Sequence, residues 1–159
     1  MSTPLDLCIR DARLRTVDRT VDIGISQGKI SRVEPRIETP AEQELPAGGA
    51  LVTEPFANPH MHLCKVYTLP MMDEEALGFY HGAGMGRAMN AVEVAAKIKA
   101  HPAYDHDWIV ASGRRALVLA ALHGMLYLRA FADVDQKAGL KGIGALLQLR
   151  DEFKDVVNV

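Results

Sequence analysis

The sequence predicts an α/β chain, with a small β-rich module over residues 1–54 and alternating strands and helices over residues 55–159. Three observations carry that prediction. Short apolar runs broken by Gly and Pro fill the first third of the chain. After Leu69, three stretches place apolar residues at helical spacing. Shorter apolar runs separate and follow those stretches, so the order from residue 50 is strand, helices, strand, helix, strand. That alternation builds parallel α/β sheets or barrels.

In the module, LDLCIRDARL, VDIGISQGKISRVEPRI and EQELPAGGALVTEPF read as short strands separated by turns. Gly28 in SQGK supplies a hairpin position where positive φ is easy. Pro40, Pro46 and Gly48-Gly49 mark loops between strands rather than an interdomain linker. ALVTEPF reads as a buried strand leading into two histidines. The stretch from Met71 to His101 reads as helix, ending near Pro102. A second helix follows, with the acidic residues of YDHDW as N-cap candidates and His123-Gly124 as its stop. MLYLRAF reads as a buried strand, Asp133 to Phe153 as helix, and DVVNV as the start of another strand. No fixed-period repeat or low-complexity segment is visible.

Composition narrows the function classes. The chain has 159 residues, 48% apolar and 24% charged, an ordinary globular balance. Its 18 Lys and Arg against 20 Asp and Glu give a formal charge of −2 with no basic stripe, so nucleic-acid binding has no support. The first residues carry charges and no continuous apolar core, so a secretory signal or membrane anchor is not expected. No apolar run approaches the roughly 20 residues that span a bilayer. Two distant cysteines, Cys8 and Cys64, suggest a reducing compartment, with the cytoplasm as the expectation.

The chemistry concentrates in LVTEPFANPHMHLCKVY, residues 51–67. On a strand, side chains at i and i+2 share a face, so His60 and His62 can aim two imidazoles at one point. A catalytic zinc site needs about three protein ligands and an open position, so the pair alone makes an incomplete site. A bland surface or core pair fits the same spacing. Placement at the exit of a strand favours function, because α/β barrels put catalytic groups there.

The β-rich start, the turn through Pro55-Phe56 and the motif P-H-M-H-L together resemble the entry into the amidohydrolase superfamily of metal-dependent hydrolases. HGMLYLRAFADVDQKAGLKGIGALLQLRDEFKDVVNV is similar to the following segment in its cytosine deaminase and N-isopropylammelide isopropylamidohydrolase branch. The resemblance covers most of the chain and is weakest from about Met71 to Tyr104. It implies a small N-terminal β-sandwich module, residues 1–54, followed by strands one to three of an incomplete TIM-type (β/α)8 barrel, residues 55–159. It implies one divalent metal, zinc or iron, whose first two ligands fall on His60 and His62. In the family the metal activates a water that attacks a cyclic amidine or amine substrate and expels ammonia or an amine. Lys65 matches the amidohydrolase relative and is a candidate substrate contact.

Two departures stand out. The family's strand-two pattern Arg-Thr-His-Val-Asp becomes Arg129-Ala130-Phe131-Ala132-Asp133, with Phe131 in place of a histidine. Cys64 stands where many relatives carry Asp. A whole barrel takes about 250 residues, far more than 55–159 provide. The isolated chain is therefore expected to bind zinc weakly, with incomplete coordination, and to show no deaminase activity. The alternative is a non-catalytic, truncated or remnant protein. Its open sheet would be covered by a homo-oligomer or by a partner supplying the missing strands.

Other residues receive blander readings. His101, Asp105, His106 and Asp107 could be called a metal cluster, but Pro102 and the cap signals favour a solvated interhelical loop. GAGMGRA mimics a phosphate loop, yet it follows a helical segment and lacks the Lys-Ser/Thr. His123 suits a helix C-terminus, and His81 gets no role. Asp133 and Asp135 follow a barrel strand and either face the site or cap the next helix. Met71, Met72, Met85 and Met89 read as core or lid packing.

Overall fold

The computed structural model describes residues 4–74, 76–77 and 88–159, with residues 88–91 through their backbone alone. The chain divides into two compact units, Met1–Glu54 and Pro55–Val159.

In the first unit, β1 (Leu5–Arg13), β2 (Thr20–Ser26), β3 (Lys29–Glu34) and β4 (Ala41–Pro46) form one mixed sheet in the order β3-β2-β1-β4. The β2–β3 hairpin turns through Gln27 at φ 52° and Gly28 at φ 70°. Two successive left-handed residues match the twist of the flanking strands, which is why Gly sits there. β1 pairs antiparallel with β2 and parallel with β4. Leu5, Cys8 and Ile37 make one small core, and Ala12, Val21 and Ile23 a second. The expectation of a sandwich is met only in part, because the four described strands lie in a single sheet.

ALVTEPF does not form the expected strand. Leu51 makes only an isolated bridge to Arg13, and the next strand, β5, begins at Phe56. Pro55 explains the break: it has no N–H to give a ladder, and pairing starts with Phe56 N–H donating to Gly124 C=O at 2.8 Å.

In the second unit β5 (Phe56–Met61) runs parallel to β6 (Met125–Ala130). Asn158 continues the parallel set beside β6, donating to Leu126 C=O at 2.9 Å and accepting from Leu128 N–H at 2.8 Å. This agrees with the reading of DVVNV as the start of a strand. Short 3-10 turns span Leu63–Lys65 and Leu69–Met71, and the helices are α1 (Ala88–Ala100), α2 (His106–Leu122) and α3 (Lys141–Phe153). The helix expected from Met71 is corrected at its start: Met71 closes a 3-10 turn and Met72 is extended, since Pro70 suits a first-turn position. GAGMGRA falls almost entirely outside the described residues, as do His81 and Met85. Met89 is described through its backbone alone.

Asp105 caps α2 by accepting from Trp108 N–H at 2.8 Å, and the helix stops at His123 with Gly124 at φ 74°. α2 and α3 pack closely: a Cβ placed on Gly113 would lie 2.4 Å from Leu149 Cδ1. Leu63, Cys64, Tyr104, Ile109, Leu117 and Leu149 lead the core of this unit. MLYLRAF is less buried than its composition predicts. Leu128 points into the helix-covered core, while Tyr127 and Phe131, on the other face, are exposed. Side-chain alternation along β6 gives that division, and the described residues leave the second face uncovered.

Candidate functional site

The uncovered face carries the two histidines. β5 bulges against β6 between Asn58 and Met61, around Pro59, and the Asn58 side-chain oxygen accepts from His60 N–H at 3.0 Å. Below the bulge Phe131 N–H donates to Met61 C=O at 2.8 Å, which returns the strands to register. The His60 and His62 rings then stand with centroids 5.1 Å apart at 57°. Phe131 stacks on His60 at 4.2 Å and 21°, and lies 5.8 Å from His62. Phe131 thus fills space beside both rings.

Behind the rings the chain turns at Leu63–Lys65, and Asp133 meets it from the end of β6. Asp133 Oδ2 lies 2.9 Å from Lys65 Nζ and 3.6 Å from Lys99 Nζ, while Oδ1 lies 3.0 Å from His62 Nδ1. The last pair is close enough for an ion pair, but its geometry makes no hydrogen bond, so the buried Nδ1 has no hydrogen-bond partner. Burial pushes the Asp133 carboxyl up. The Lys65 hydrogen bond and the charges of Lys65, Lys99 and His62 outweigh it and hold Asp133 below the usual carboxylate range. Burial also pulls Lys99 down, yet its bond to Asp135 and the charge of Asp133 leave it raised.

Cys64 is fully buried, and its thiol donates to Phe131 C=O at 3.6 Å. Against it lies the Tyr104 hydroxyl, which also lacks a hydrogen-bond partner; burial first, and Cys64 second, push that phenol up. Among the described residues, His62, Cys64 and Asp133 are the only three His, Cys, Asp or Glu side chains whose ligand atoms come together, all within 4.8 Å.

The four residues of the interhelical loop do not gather. His101 Nδ1 accepts from Ala103 N–H, Asp105 caps α2, and His106 pairs with Asp107 on the surface. His123 caps α2 as expected. Asp133 and Asp135 divide the two roles left open for them. Asp133 faces the site, and Asp135 accepts from Lys137 and Ala138 N–H at 2.8 Å in the turn before α3. Lys99 and Tyr104 escaped the sequence reading, because nothing in their spacing ties an α1 lysine or a loop tyrosine to a strand end.

Imidazole nitrogens are donors that a divalent metal takes, and the His60 and His62 rings stand with centroids 5.1 Å apart. They supply two ligands where a catalytic zinc takes about three.

No protein-family model matches the chain. It is 32% identical over 159 residues to N-isopropylammelide isopropyl amidohydrolase of Pseudomonas sp. strain ADP, covering all of this chain and 38% of that relative. In fold it resembles 5-methylcytosine deaminase from Klebsiella pneumoniae, at TM-score 0.75 and 21% identity over 95% of this chain and 34% of the other. It also resembles N-isopropylammelide isopropylaminohydrolase from Burkholderia multivorans, at TM-score 0.73 and 22% identity over 96% and 35%. At these identities the two structures speak of fold alone. The resemblance to the amidohydrolase superfamily, in this branch and over its N-terminal portion, is borne out. The chain spans little more than a third of each of these relatives.

Proposed function

We propose that this chain, an amidohydrolase-superfamily match in sequence and fold, forms the metal-facing N-terminal part of an enzyme that hydrolyses C–N bonds of a cyclic amidine or amine. The observation that carries the reading is the convergence of His60 and His62 at the end of β5, with Asp133 held behind them. A divalent metal, zinc or iron, would bind there and supply Lewis acidity to a water. The chain's own residues do the positioning. The Asn58 side chain secures the bulge that turns His60 and His62 together, and Phe131 fills the space beside both rings. Lys65 contacts substrate only as far as its Asp133 partnership releases it; 2.9 Å from Oδ2, its ammonium fixes that carboxylate.

The further ligands are supplied by chain beyond these residues or by another polypeptide, and small-molecule ring amines are the substrate class. No described helix is long and apolar enough to cross a membrane, and the proposed setting is the reducing cytoplasm. The test is elemental analysis with light scattering on the pure chain, followed by a turnover screen of cytosine and triazine amines. Weak metal retention without turnover, and a full metal complement with turnover once the missing strands are added in trans, is the expected pair of results. Metal uptake that survives replacement of both histidines would overturn the reading.

A second reading is a non-catalytic protein that associates through its open sheet. An apolar groove of about 560 Å³ beside β6, lined by Leu128, Phe131, Ile143, Leu146, Leu147 and Val159, favours it. Stable oligomers that hold no metal would decide for this reading.

A further inference from the structure

We propose that His62 Nδ1, Cys64 Sγ and a carboxylate oxygen of Asp133 form a thiolate-containing site for a divalent transition metal, which shares His62 with the His60–His62 pair. The three ligand atoms lie within 4.8 Å of one another, and each is held by the fold. Cys64 sits in the turn Leu63–Lys65 with no exposure. Gly142 backs it closely: a Cβ there would come 3.4 Å from Cys64 Cβ. Asp133 is steadied through its other oxygen by Lys65 and Lys99, the outer-shell support that orients metal ligands.

Two orphaned atoms point to a ligand. Buried polar atoms nearly always find partners, so each exception asks for an explanation. His62 Nδ1 is buried, 3.0 Å from Asp133 Oδ1 yet without a hydrogen bond, and the hydroxyl of Tyr104, itself 1% exposed, has only the Cys64 side chain beside it. One metal accounts for both. The neutral imidazole gives its Nδ1 lone pair to the ion, and the Cys64 thiol binds as thiolate while its proton leaves to solvent. The thiol's hydrogen bond to Phe131 C=O is lost in exchange, and the Tyr104 hydroxyl gains the thiolate sulfur as an acceptor. A nitrogen, sulfur and carboxylate set suits zinc and cobalt and leaves a fourth, open position. Lys65 and Lys99 add positive charge nearby, so the site binds more weakly than the same ligands without them.

The arrangement makes His62 a shared ligand. With Nδ1 on the metal, the ring carries its proton on Nε2 and cannot use that nitrogen for a metal on the His60 side. Filling the thiolate site therefore empties the histidine pair of one member.

Titration of the reduced, full 159-residue chain with Co²⁺ tests this, because a sulfur-to-cobalt charge-transfer band in the near ultraviolet reports thiolate ligation alone. The parent chain, His60→Ala and Cys8→Ser should develop the band, and Cys64→Ser should lose it while retaining its circular dichroism. Asp133→Asn should weaken the apparent Co²⁺ affinity at least about tenfold, a second readout if Cys64→Ser does not fold. Absence of the band in the parent, its survival in Cys64→Ser, or an unchanged affinity in Asp133→Asn overturns the proposal. Cobalt bound without the band and released by His60→Ala would place the metal on the histidine pair, which defeats this site and leaves the proposed function standing.

Discussion

Asp22 in the N-terminal sheet and Asp133 at the end of β6 are both shielded carboxylates held below their usual range, and they do opposite work. Asp22, 5% exposed, is saturated: Arg10 Nη1 reaches it at 2.7 Å, Ile37 N–H at 3.0 Å and Asp11 N–H at 3.1 Å. Arg10 in turn donates to Ile37 C=O and to Glu44. Burial pushes Asp22 up, and these donors bring it back down. Asp133 has two lysines and a histidine around it, yet the histidine nitrogen forms no hydrogen bond, and a thiol and a lone hydroxyl stand alongside. A lowered pKa is common to both and separates nothing. Satisfaction of the neighbours separates them: the first cluster is complete in itself, and the second leaves His62 Nδ1 without a hydrogen bond.

The largest expected effect lies on the completed cluster. Asp22→Ala leaves the Asp11 and Ile37 N–H groups without their acceptor and takes from Arg10 one of its three, and should cost about 3 kcal/mol, read from the urea midpoint. Asp133→Asn should cost only about 1–2 kcal/mol, because Lys99 keeps Asp135 and the amide still accepts from Lys65. Equal losses would erase the distinction. Phe131→Ala should lower stability by roughly 1 kcal/mol through the lost stack on His60, with metal uptake by the histidine pair unimpaired. A loss of uptake would make Phe131 part of the site's support rather than a filler.

The smallest effect is at acid pH. Ala138 N–H and then Lys99 draw Asp135 from its ordinary 3.8 to about 2, and Asp133 and Asp22 are lowered as well. Carboxylates lowered on folding stabilise above their unfolded pKa, so unfolding free energy should hold above about pH 4 and fall as pH drops toward 2. Asp135→Asn should make that acid limb shallower in a pH series of thermal melts. An unchanged limb would mean that the Asp135 contacts are already lost before its carboxyl titrates.

Local rules made much of this molecule legible in its residues. The hairpin at Gln27-Gly28, the Asp105 cap, the His123-Gly124 stop and the i, i+2 histidines follow from the φ preferences, capping chemistry and side-chain alternation of neighbours in sequence. Pro55 is just as visible, beside an apolar run that by itself reads as strand. A missing N–H outweighed the apolar run and moved the start of β5 to Phe56. Tertiary structure alone decided that Asp133, 71 residues after His62, turns to the site while Asp135 caps a turn. It alone brought Lys99 and Tyr104 there from α1 and the following loop. Those meetings depend on how α1, α2 and α3 share one core with Leu128 of β6, and such contacts join residues by distance in space, which no local periodicity encodes.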